Sequence, residues 1–539
     1  MGASAAGRTV GWWTRLAVAI VLLNGSLTFV SIWPTLAVMP TLRLSLEAAG
    51  LVLGLALAAR RGSAPVARTT QRLLAALWVV LIVAHYVDVS TRSLYGREVN
   101  LYWDLQLLPD VGAMFAYVAE PRLVLAFGAA LILIPSLLFL PVRWAIGVVS
   151  QASASPAVRT LATTAAIGVF ALAGVQGVAG HLLSAAPIAP AVSTAIAGKA
   201  VEFAREASGH RRRAMPPAPS IDSDFAHVRG ADVVLLFVES YGVTSWERPE
   251  FRQALAPARA NLAAAISETG RSVVTATVES TTFGGASWLA HISLLSGTAV
   301  GDADLNRRLM AERRDTMVTA FSRHGYRTLA IMPGLQAPWP EGGFYGFDHL
   351  YGARDLDYKG PPFGWWDVTD QFVLACMDAL AFTPQAQSPA FIFVPTISTH
   401  APFTPVPPYQ PDWTRLLTPT PYDEDDLSRA YKAVPDWSDL GPGYARSLAY
   451  VHETLSGYLR LRGDRDMVLV IVGDHQPPAL VSGEGASWNV PVHVIGRRAA
   501  VLDRLRAQGF RDGLAPAGSA LARMDALMPI LLRAFGNTE

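Results

Sequence analysis

Val233-Val234-Leu235-Leu236-Phe237-Val238, followed at once by Glu239-Ser240-Tyr241-Gly242, is the stretch from which the organisation of the C-terminal half follows. Its six consecutive apolar residues show neither the alternation of a half-solvated strand nor the period of a surface helix, so they read as a strand buried on both faces of a parallel sheet. Two further runs repeat the pattern, Ala390-Phe391-Ile392-Phe393-Val394 and Met467-Val468-Leu469-Val470-Ile471-Val472. They pass into Thr396-Ile397-Ser398-Thr399-His400 and Gly473-Asp474-His475-Gln476. Open α/β sheets bind ligands at the carboxyl ends of their strands. Three such strands therefore deliver Glu239, His400 and the Asp474-His475 pair to one edge.

A fourth element, Glu279-Ser280-Thr281-Thr282-Phe283-Gly284-Gly285-Ala286-Ser287-Trp288-Leu289-Ala290-His291-Ile292-Ser293-Leu294-Leu295-Ser296-Gly297, reads as a strand end, a Gly-Gly turn and a helix. The helix begins near Ser287 and is closed by Gly297. A hydroxyl at a helix N-terminus sits where free N–H groups and the positive end of the dipole hold a phosphate or sulfate. An N-cap serine occupies the same place for purely structural reasons. Together, an acid, a hydroxyl and an adjacent Asp-His at strand ends and a helix start form an O/N ligand set for one divalent cation such as Mn²⁺, Mg²⁺ or Zn²⁺. Coordination would activate the hydroxyl as a nucleophile and stabilise charge on an attacked phosphorus.

Outward from this domain the composition changes. Over 539 residues the chain is 51% hydrophobic and only 16% charged, with a mean hydropathy of +0.29, which is too apolar for an ordinary soluble protein of this size. Lys+Arg 44 against Asp+Glu 43 leaves no basic field, which excludes a nucleic-acid partner. The one cysteine, Cys376, excludes an intramolecular disulfide and cysteine-based zinc clusters. The apolar excess lies before about residue 185, in five segments near Leu16–Leu36, Leu44–Ala59, Leu73–Val87, Leu123–Val142 and Leu161–Ala179. Several approach the roughly 20 residues a bilayer requires; the second and third are short, and re-entrant or interfacial helices are the alternative for them.

Arg8 and Arg15 precede the first segment and no small-residue cleavage site follows it, so it reads as an anchor. Arg8, Arg15, Arg60, Arg61, Arg68, Arg72, Arg143 and Arg159 fall in the N-terminal tail and the even-numbered connections, against Arg43, Arg92, Arg97 and Arg122 in the odd ones. That bias puts the N-terminus in the cytoplasm and, after five crossings, the C-terminal domain outside the cytoplasmic membrane, in a periplasmic or extracellular location. The expected organisation is a transmembrane domain over 1–185, a juxtamembrane linker over 186–229 and a catalytic domain over 230–539. The linker holds His210-Arg211-Arg212-Arg213-Ala214-Met215-Pro216-Pro217-Ala218-Pro219, whose prolines forbid a continuous helix and whose basic run suits lipid headgroups.

The order of these motifs resembles the alkaline phosphatase/sulfatase superfamily and, within it, the lipoteichoic acid synthase-like phosphoglycerol transferases. Val238-Glu239-Ser240, Ser398-Thr399-His400-Ala401-Pro402-Phe403 and Gly473-Asp474-His475 carry the likeness, and the five-helix membrane portion extends it over nearly the whole chain. The resemblance implies a mostly parallel α/β sulfatase-like domain in which Glu239, Ser287, Asp474 and His475 bind one metal ion, with Mn²⁺ first among the candidates. Ser287 would be the nucleophile, His400 would contact the substrate phosphate, and Trp339 would line the substrate pocket. Sliding the segment to match phosphoethanolamine transferases brings Thr282 into the nucleophile position instead. Gly285-Ala286-Ser287 matches the Gly-x-Thr turn of the lipoteichoic acid synthases and leaves a full helix behind it, which favours Ser287.

Departures narrow the reading. Sulfatases proper place Pro and Arg after the modified residue, whereas this chain has Ser287-Trp288-Leu289-Ala290-His291, which argues against sulfate-ester hydrolysis. Phosphoethanolamine transferases are usually disulfide-rich outside the membrane. After Trp339 comes Pro340-Glu341, where phosphoglycerol transferases tend to carry an arginine; Arg354 or Lys359 could substitute. The expected reaction moves a phosphoglycerol or related phospho-alcohol group from a membrane phospholipid, through a phospho-serine, to an envelope glycan. Water as acceptor would make the protein a phosphodiesterase, and loss of catalysis would leave an envelope scaffold. Tyr444, Leu448, Val451 and Leu455 have the spacing of a helix core face, and His493 reads as a buried sheet histidine with a substrate contact as the alternative. Trp365-Trp366-Asp367 could shape an acceptor groove or form a packed loop.

Overall fold

The computed structural model describes residues 3–32, 35–61, 66–96, 98–118, 121–179, 186–208, 215–336, 339–383, 387–516 and 518–537. Two compact units emerge, one of Met1–Ser93 with Arg97–Arg212 and one of Leu94–Gly96 with Arg213–Glu539.

The first unit contains the helices Ala3–Gly25, Leu46–Arg61, Arg68–Tyr95, Leu101–Val118, Pro121–Ala152, Pro156–Ala179 and Val192–Ala207. Among the described residues three helices, Arg68–Tyr95, Pro121–Ala152 and Pro156–Val178, are long and apolar enough to cross a bilayer. The expected first segment, Leu16–Leu36, is corrected: its helix starts earlier and stops at Gly25, and Val30–Ser31 then pairs antiparallel with Val38–Met39. The Asn24 side chain draws the returning chain back, donating to the Arg43 carbonyl and accepting from the Ser45 amide. Ser45 in turn accepts from the Ala48 amide and caps Leu46–Arg61, which at 16 residues is shorter than the roughly 20 a perpendicular span needs. Leu101–Val118 forms a helix where no element was expected, because Asp104, Pro109 and Asp110 interrupt its apolar run. Val192–Ala207, within the expected linker, is also helical. The basic run from His210 to Arg213 lies outside the described residues.

The second unit is built on nine strands: β1 Asp232–Val238, β2 Ser272–Glu279, β3 Arg327–Met332, β4 His349–Gly352, β5 Ala390–Pro395, β6 Met467–Gly473, β7 Asn489–Gly496, β8 Arg511–Asp512 and β9 Ala522–Arg523. Their order is β8-β2-β7-β6-β1-β5-β3-β4, with β9 on β2. The pairs β6–β1, β1–β5, β5–β3 and β3–β4 are parallel, while β7 runs antiparallel to both β6 and β2. The sheet is therefore mixed and mostly parallel, and β2, lying beyond one reversed strand, ends on the same edge as β1, β5 and β6.

All three apolar runs are central and completely buried. Alternate residues divide between two cores. Val233, Leu235, Phe237, Phe391, Phe393, Val468, Val470 and Val472 join helices Ser287–Ser296, Met317–Arg323, Ala499–Ala507 and Met524–Phe535. Val234, Leu236, Val238, Ile392, Val394, Leu469 and Ile471 join helices Pro249–Glu268, Asp370–Ala381 and Gly441–Leu461. Tyr444, Leu448, Val451 and Leu455 form the buried stripe of the last of these, as their spacing required.

Candidate metal centre and nucleophile

Strand register brings the acids together. Val238 of β1 is paired with Gly473 of β6, so Glu239 and Asp474 leave the sheet side by side although they lie 235 positions apart in the chain. Gly473 is required there: a Cβ at this position would lie 1.9 Å from the Tyr241 carbonyl oxygen. Ser240 turns the chain with a φ of 55°, a left-handed conformation that non-glycine residues adopt at a cost and that clusters at functional sites. Its amide donates to Asp474 Oδ1 at 2.8 Å and its hydroxyl to Glu239 Oε1 at 3.1 Å. The His475 amide holds the same Asp474 oxygen at 2.6 Å.

Ser287 arrives from β2 through the Gly284-Gly285 turn. Ala286, left-handed at φ 60°, occupies the N-cap position, and Ser287 is the first residue of the helix Ser287–Ser296, which ends at left-handed Gly297. Ser287 is thus not the capping residue. Its hydroxyl donates to Glu239 Oε2 at 2.8 Å and lies 3.2 Å from His475 Nε2. Thr282, the other candidate hydroxyl, donates to the Gly285 carbonyl at 2.5 Å and closes the turn.

Glu239, Asp474 and His475 each offer a ligand atom within 4.8 Å of the others, and all three are buried. His475 Nδ1 lies 2.7 Å from the Gln476 carbonyl oxygen, which fixes its proton on that side and leaves the Nε2 lone pair facing the carboxylates. Nε2 is 3.5 Å from Glu239 Oε1 and 3.6 Å from Asp474 Oδ2. Burial keeps His475 below the usual imidazole range, so that lone pair is present at neutral pH. Burial by itself would raise Glu239, but His475 and His400 alongside it, with hydrogen bonds from Asp474 and Ser287, hold it below its ordinary value. Asp474 moves the other way, pushed well above the carboxylate range by burial and by the charge of Glu239. Two carboxylates this close and this dry share a proton unless a cation lies between them. Two carboxylate oxygens, a neutral imidazole nitrogen and a hydroxyl fit one hard or borderline divalent ion.

His400 stands on the loop after β5, at the same edge. The loop is clipped at several points: the Glu239 amide donates to Thr396 Oγ1 at 3.1 Å, Thr399 Oγ1 donates to the Glu239 carbonyl, and Asp370 Oδ1 accepts from the Ile397 amide at 2.7 Å. Trp366 meets the His400 ring edge-on with centroids 4.7 Å apart, so the Trp-Trp-Asp stretch packs against a site residue. Asp370, Thr396 and Thr399 were not singled out from the sequence; only the Thr369-Asp370 helix start, with Thr369 as cap, hints at the first. Trp339 lines a cavity of about 410 Å³ with Trp288, His291 and Leu295 of the Ser287 helix. The Glu341 side chain lies outside the described residues. Lys359 is paired with Asp357 at 2.6 Å, and Arg354 is exposed. His493 resolves as the sheet histidine, with Nε2 2.9 Å from the Tyr241 hydroxyl and Nδ1 2.8 Å from Thr275 Oγ1.

Among solved structures the chain is similar to the lipooligosaccharide phosphoethanolamine transferase EptA of Neisseria meningitidis, at 15% identity over 86% of this chain and 84% of that one, with a TM-score of 0.47. It is also similar to the lipoteichoic acid synthase LtaP of Listeria monocytogenes, at 12% identity over 52% and 68%, with a TM-score of 0.37. A third is the phosphoglycerol transferase GacH of Streptococcus pyogenes, at 13% identity over 58% and 76%, with a TM-score of 0.36. No curated protein matches the chain by sequence. The sulfatase family model matches residues 231–492, from the residue before β1 to the middle of β7, an interval that contains Glu239, Ser287, His400, Asp474 and His475. The C-terminal unit of this chain accordingly carries a sulfatase-family domain.

Proposed function

We propose that the protein is a membrane-anchored, metal-dependent phosphotransferase that moves a phosphoglycerol or related phospho-alcohol group from a membrane phospholipid to a hydroxyl of an envelope glycan. The observation that carries this reading is the Ser287 hydroxyl, 2.8 Å from Glu239 Oε2 and 3.2 Å from His475 Nε2. A nucleophile in contact with a ligand set is the arrangement that phosphoryl transfer through a covalent intermediate requires. Glu239, Asp474, His475 and Ser287 would hold one ion, Mn²⁺ being our first choice with Mg²⁺ or Zn²⁺ as the others. When bound, such an ion supplies Lewis-acid stabilisation of phosphoryl charge and favours the deprotonated hydroxyl.

In the first step Ser287 Oγ forms a bond to phosphorus as the bond from phosphorus to the lipid alcohol breaks. The serine proton faces Glu239 Oε2, and the departing alkoxide takes up a proton to leave as diacylglycerol. In the second step an acceptor hydroxyl attacks the phospho-serine, loses its proton, and Ser287 regains one. His400 would contact the phosphate oxygens, and Trp339 would border the organic group. We place the domain outside the cytoplasmic membrane, in the periplasmic or extracellular space, with the N-terminus cytoplasmic and five helices crossing. Such tethering would keep a lipid donor at high effective concentration beside the site.

The test is intact mass spectrometry of the full-length protein after incubation with phosphatidylglycerol and Mn²⁺. A glyceryl-phosphate adduct lost in Ser287→Ala and retained in Thr282→Ala is the expected result. Loss in Thr282→Ala alone would move the nucleophile. Diacylglycerol release without any glycan would favour hydrolysis, and no adduct with no bound metal would favour a scaffold.

A further inference from the structure

Asp370 is a carboxylate only 1% exposed, on an element that holds neither the nucleophile nor a metal ligand. It opens the helix Asp370–Ala381, yet the helix does not need it as a cap, because Thr369 is the N-cap and its Oγ1 accepts from the Phe372 amide at 3.3 Å. The carboxylate turns instead to the loop after β5. Oδ1 accepts from the Ile397 amide at 2.7 Å and from the Ser398 amide at 3.3 Å, and Oδ2 accepts from the Ser398 amide at 3.2 Å. In return the Asp370 amide donates to Ser398 Oγ at 3.3 Å. Burial drives the Asp370 carboxyl up to about 6 against the pull of these hydrogen bonds, so at neutral pH a charge is held in a dry place by amides. A desolvated carboxylate is expensive, and charge-assisted bonds to two consecutive amides of one loop are what offset that cost.

The loop so held carries His400, two residues past Ser398. The His400 amide donates to the Ile397 carbonyl at 3.1 Å, which closes a turn directly on the residues that Asp370 grips. Ser447 Oγ donates to the Ser398 carbonyl from the other side. The imidazole itself has Nδ1 2.7 Å from the Ala401 carbonyl oxygen, and Trp366, four residues before Asp370, meets the ring edge-on. The stretch 366–370 therefore holds His400 twice, at its ring and through its loop backbone. His400 lies close enough to Glu239 and His475 to act on both electrostatically. The metal side of the loop is fastened by other residues: Thr396 and Thr399 bond the Glu239 backbone, and neither bonds Asp370.

We infer that Asp370 is a positioning residue for the reaction: it fixes the loop that presents His400 to the substrate phosphate, and it acts through His400 and not through the metal ligands. The inference rests on the phosphotransfer reading and deepens it by naming a residue, outside the site itself, on which phosphate recognition depends. Without the carboxylate, the Ile397 and Ser398 amides are left in a buried place with no acceptor, which costs about 1–3 kcal/mol for each such group. The loop then shifts to find other partners, and His400 moves with it. A misplacement of about 1 Å in a group that orients a substrate costs on the order of 10²-fold in rate.

The experiment is a double-mutant cycle in the full-length protein with Mn²⁺, using bis-p-nitrophenyl phosphate as substrate and calorimetric binding of phenylphosphonate and of Mn²⁺ as further readouts. Asp370→Ala is expected to lower kcat/KM by roughly tenfold or more, and Asp370→Asn, which keeps one acceptor oxygen for the two amides, by less. In a His400→Ala background the same changes should alter kcat/KM by no more than about twofold, because the residue through which they act is gone. The Mn²⁺ affinity should stay within about threefold throughout. An equal loss with and without His400, or a fall in Mn²⁺ affinity that matches the fall in turnover, would overturn the inference. If Asp370→Ala does not fold, the Asp370→Asn cycle decides alone. If wild type releases no p-nitrophenolate, the phosphotransfer reading fails, and the cycle is read on phenylphosphonate binding. Weakening by Asp370→Asn that vanishes in His400→Ala then upholds the inference, and equal weakening in both backgrounds, or no phosphonate binding by wild type, refutes it.

Discussion

Glu239 and Tyr241 are two residues apart at the end of the same strand, yet they belong to opposite kinds of buried polar assembly. From Trp246 through Tyr241 to Gly513 the polar groups are linked partner to partner. The Trp246 indole donates to the Tyr241 oxygen at 3.0 Å, the Tyr241 hydroxyl donates to His493 Nε2, His493 Nδ1 donates to Thr275, and Thr275 donates to the Gly513 carbonyl at 2.6 Å. Donors and acceptors run in one direction along this chain to a closed end at the Gly513 carbonyl. Around Glu239 the backbone and Ser240 satisfy only part of the acceptor capacity, and the remaining oxygens of Glu239 and Asp474 converge with His475 Nε2 and Ser287 Oγ on one point. A closed network specifies a fold, whereas an open, convergent one is a binding site. Burial alone does not distinguish them.

The largest test of this contrast is Ser287→Ala, expected to lower phosphodiester turnover by at least roughly 10³-fold with no change in thermal unfolding, since the hydroxyl caps nothing. Loss of folding in that variant would mean that Ser287 belongs to the closed kind. Asp474→Asn should abolish stoichiometric Mn²⁺ uptake, read by elemental analysis. It should also remove the stabilisation that excess Mn²⁺ gives wild type, about 2.7 kcal/mol at a hundredfold excess over Kd.

Smaller effects are expected from the closed network. Tyr241→Phe leaves the Trp246 indole and His493 without their shared partner and should cost about 1–3 kcal/mol in denaturant unfolding, while turnover per folded molecule stays within about twofold. A large activity loss at unchanged stability would show the two assemblies to be coupled.

Acid supplies the finest probe. His291, His452 and His493 are held neutral by burial, at about 3, 4 and 3. The unfolded chain, with imidazoles near 6.5, therefore binds more protons than the folded one between about pH 4 and 6.5, and stability must fall as pH is lowered through that window. Asp370, raised to about 6 by burial, acts in the opposite sense between about 4 and 6 and offsets part of the slope. His493→Leu should flatten the dependence of melting temperature on pH relative to wild type. An unchanged slope would show that this histidine does not remain neutral.

How much could be read before the fold was known differs between the units. In the second, the unbroken apolar runs ending in Glu239, His400 and Asp474-His475 were legible because burial on both faces leaves a pattern within six or seven residues. In the first, residues facing lipid and residues facing other helices are equally apolar, so segment ends carry little signal. Leu16–Leu36 therefore ran past its true end at Gly25, and Leu101–Val118 was missed behind its acidic residues and proline.

By itself the sequence determined the central strands, the polar residues at their ends, and the helix from Ser287 to Gly297, since each depends on neighbours a few positions away. Only the tertiary structure decided which hydroxyl meets the acids. Ser287 and Thr282 are five residues apart in one turn, and only the former reaches Glu239 once β1 and β6 are in register. It alone also separated His493, whose partners come from residues 241 and 275, from His291, whose Nε2 has no partner among the described residues. The physical reason is the same in both cases: a hydrogen bond is decided by tenths of an ångström between segments hundreds of residues apart, and only packing brings them to that distance.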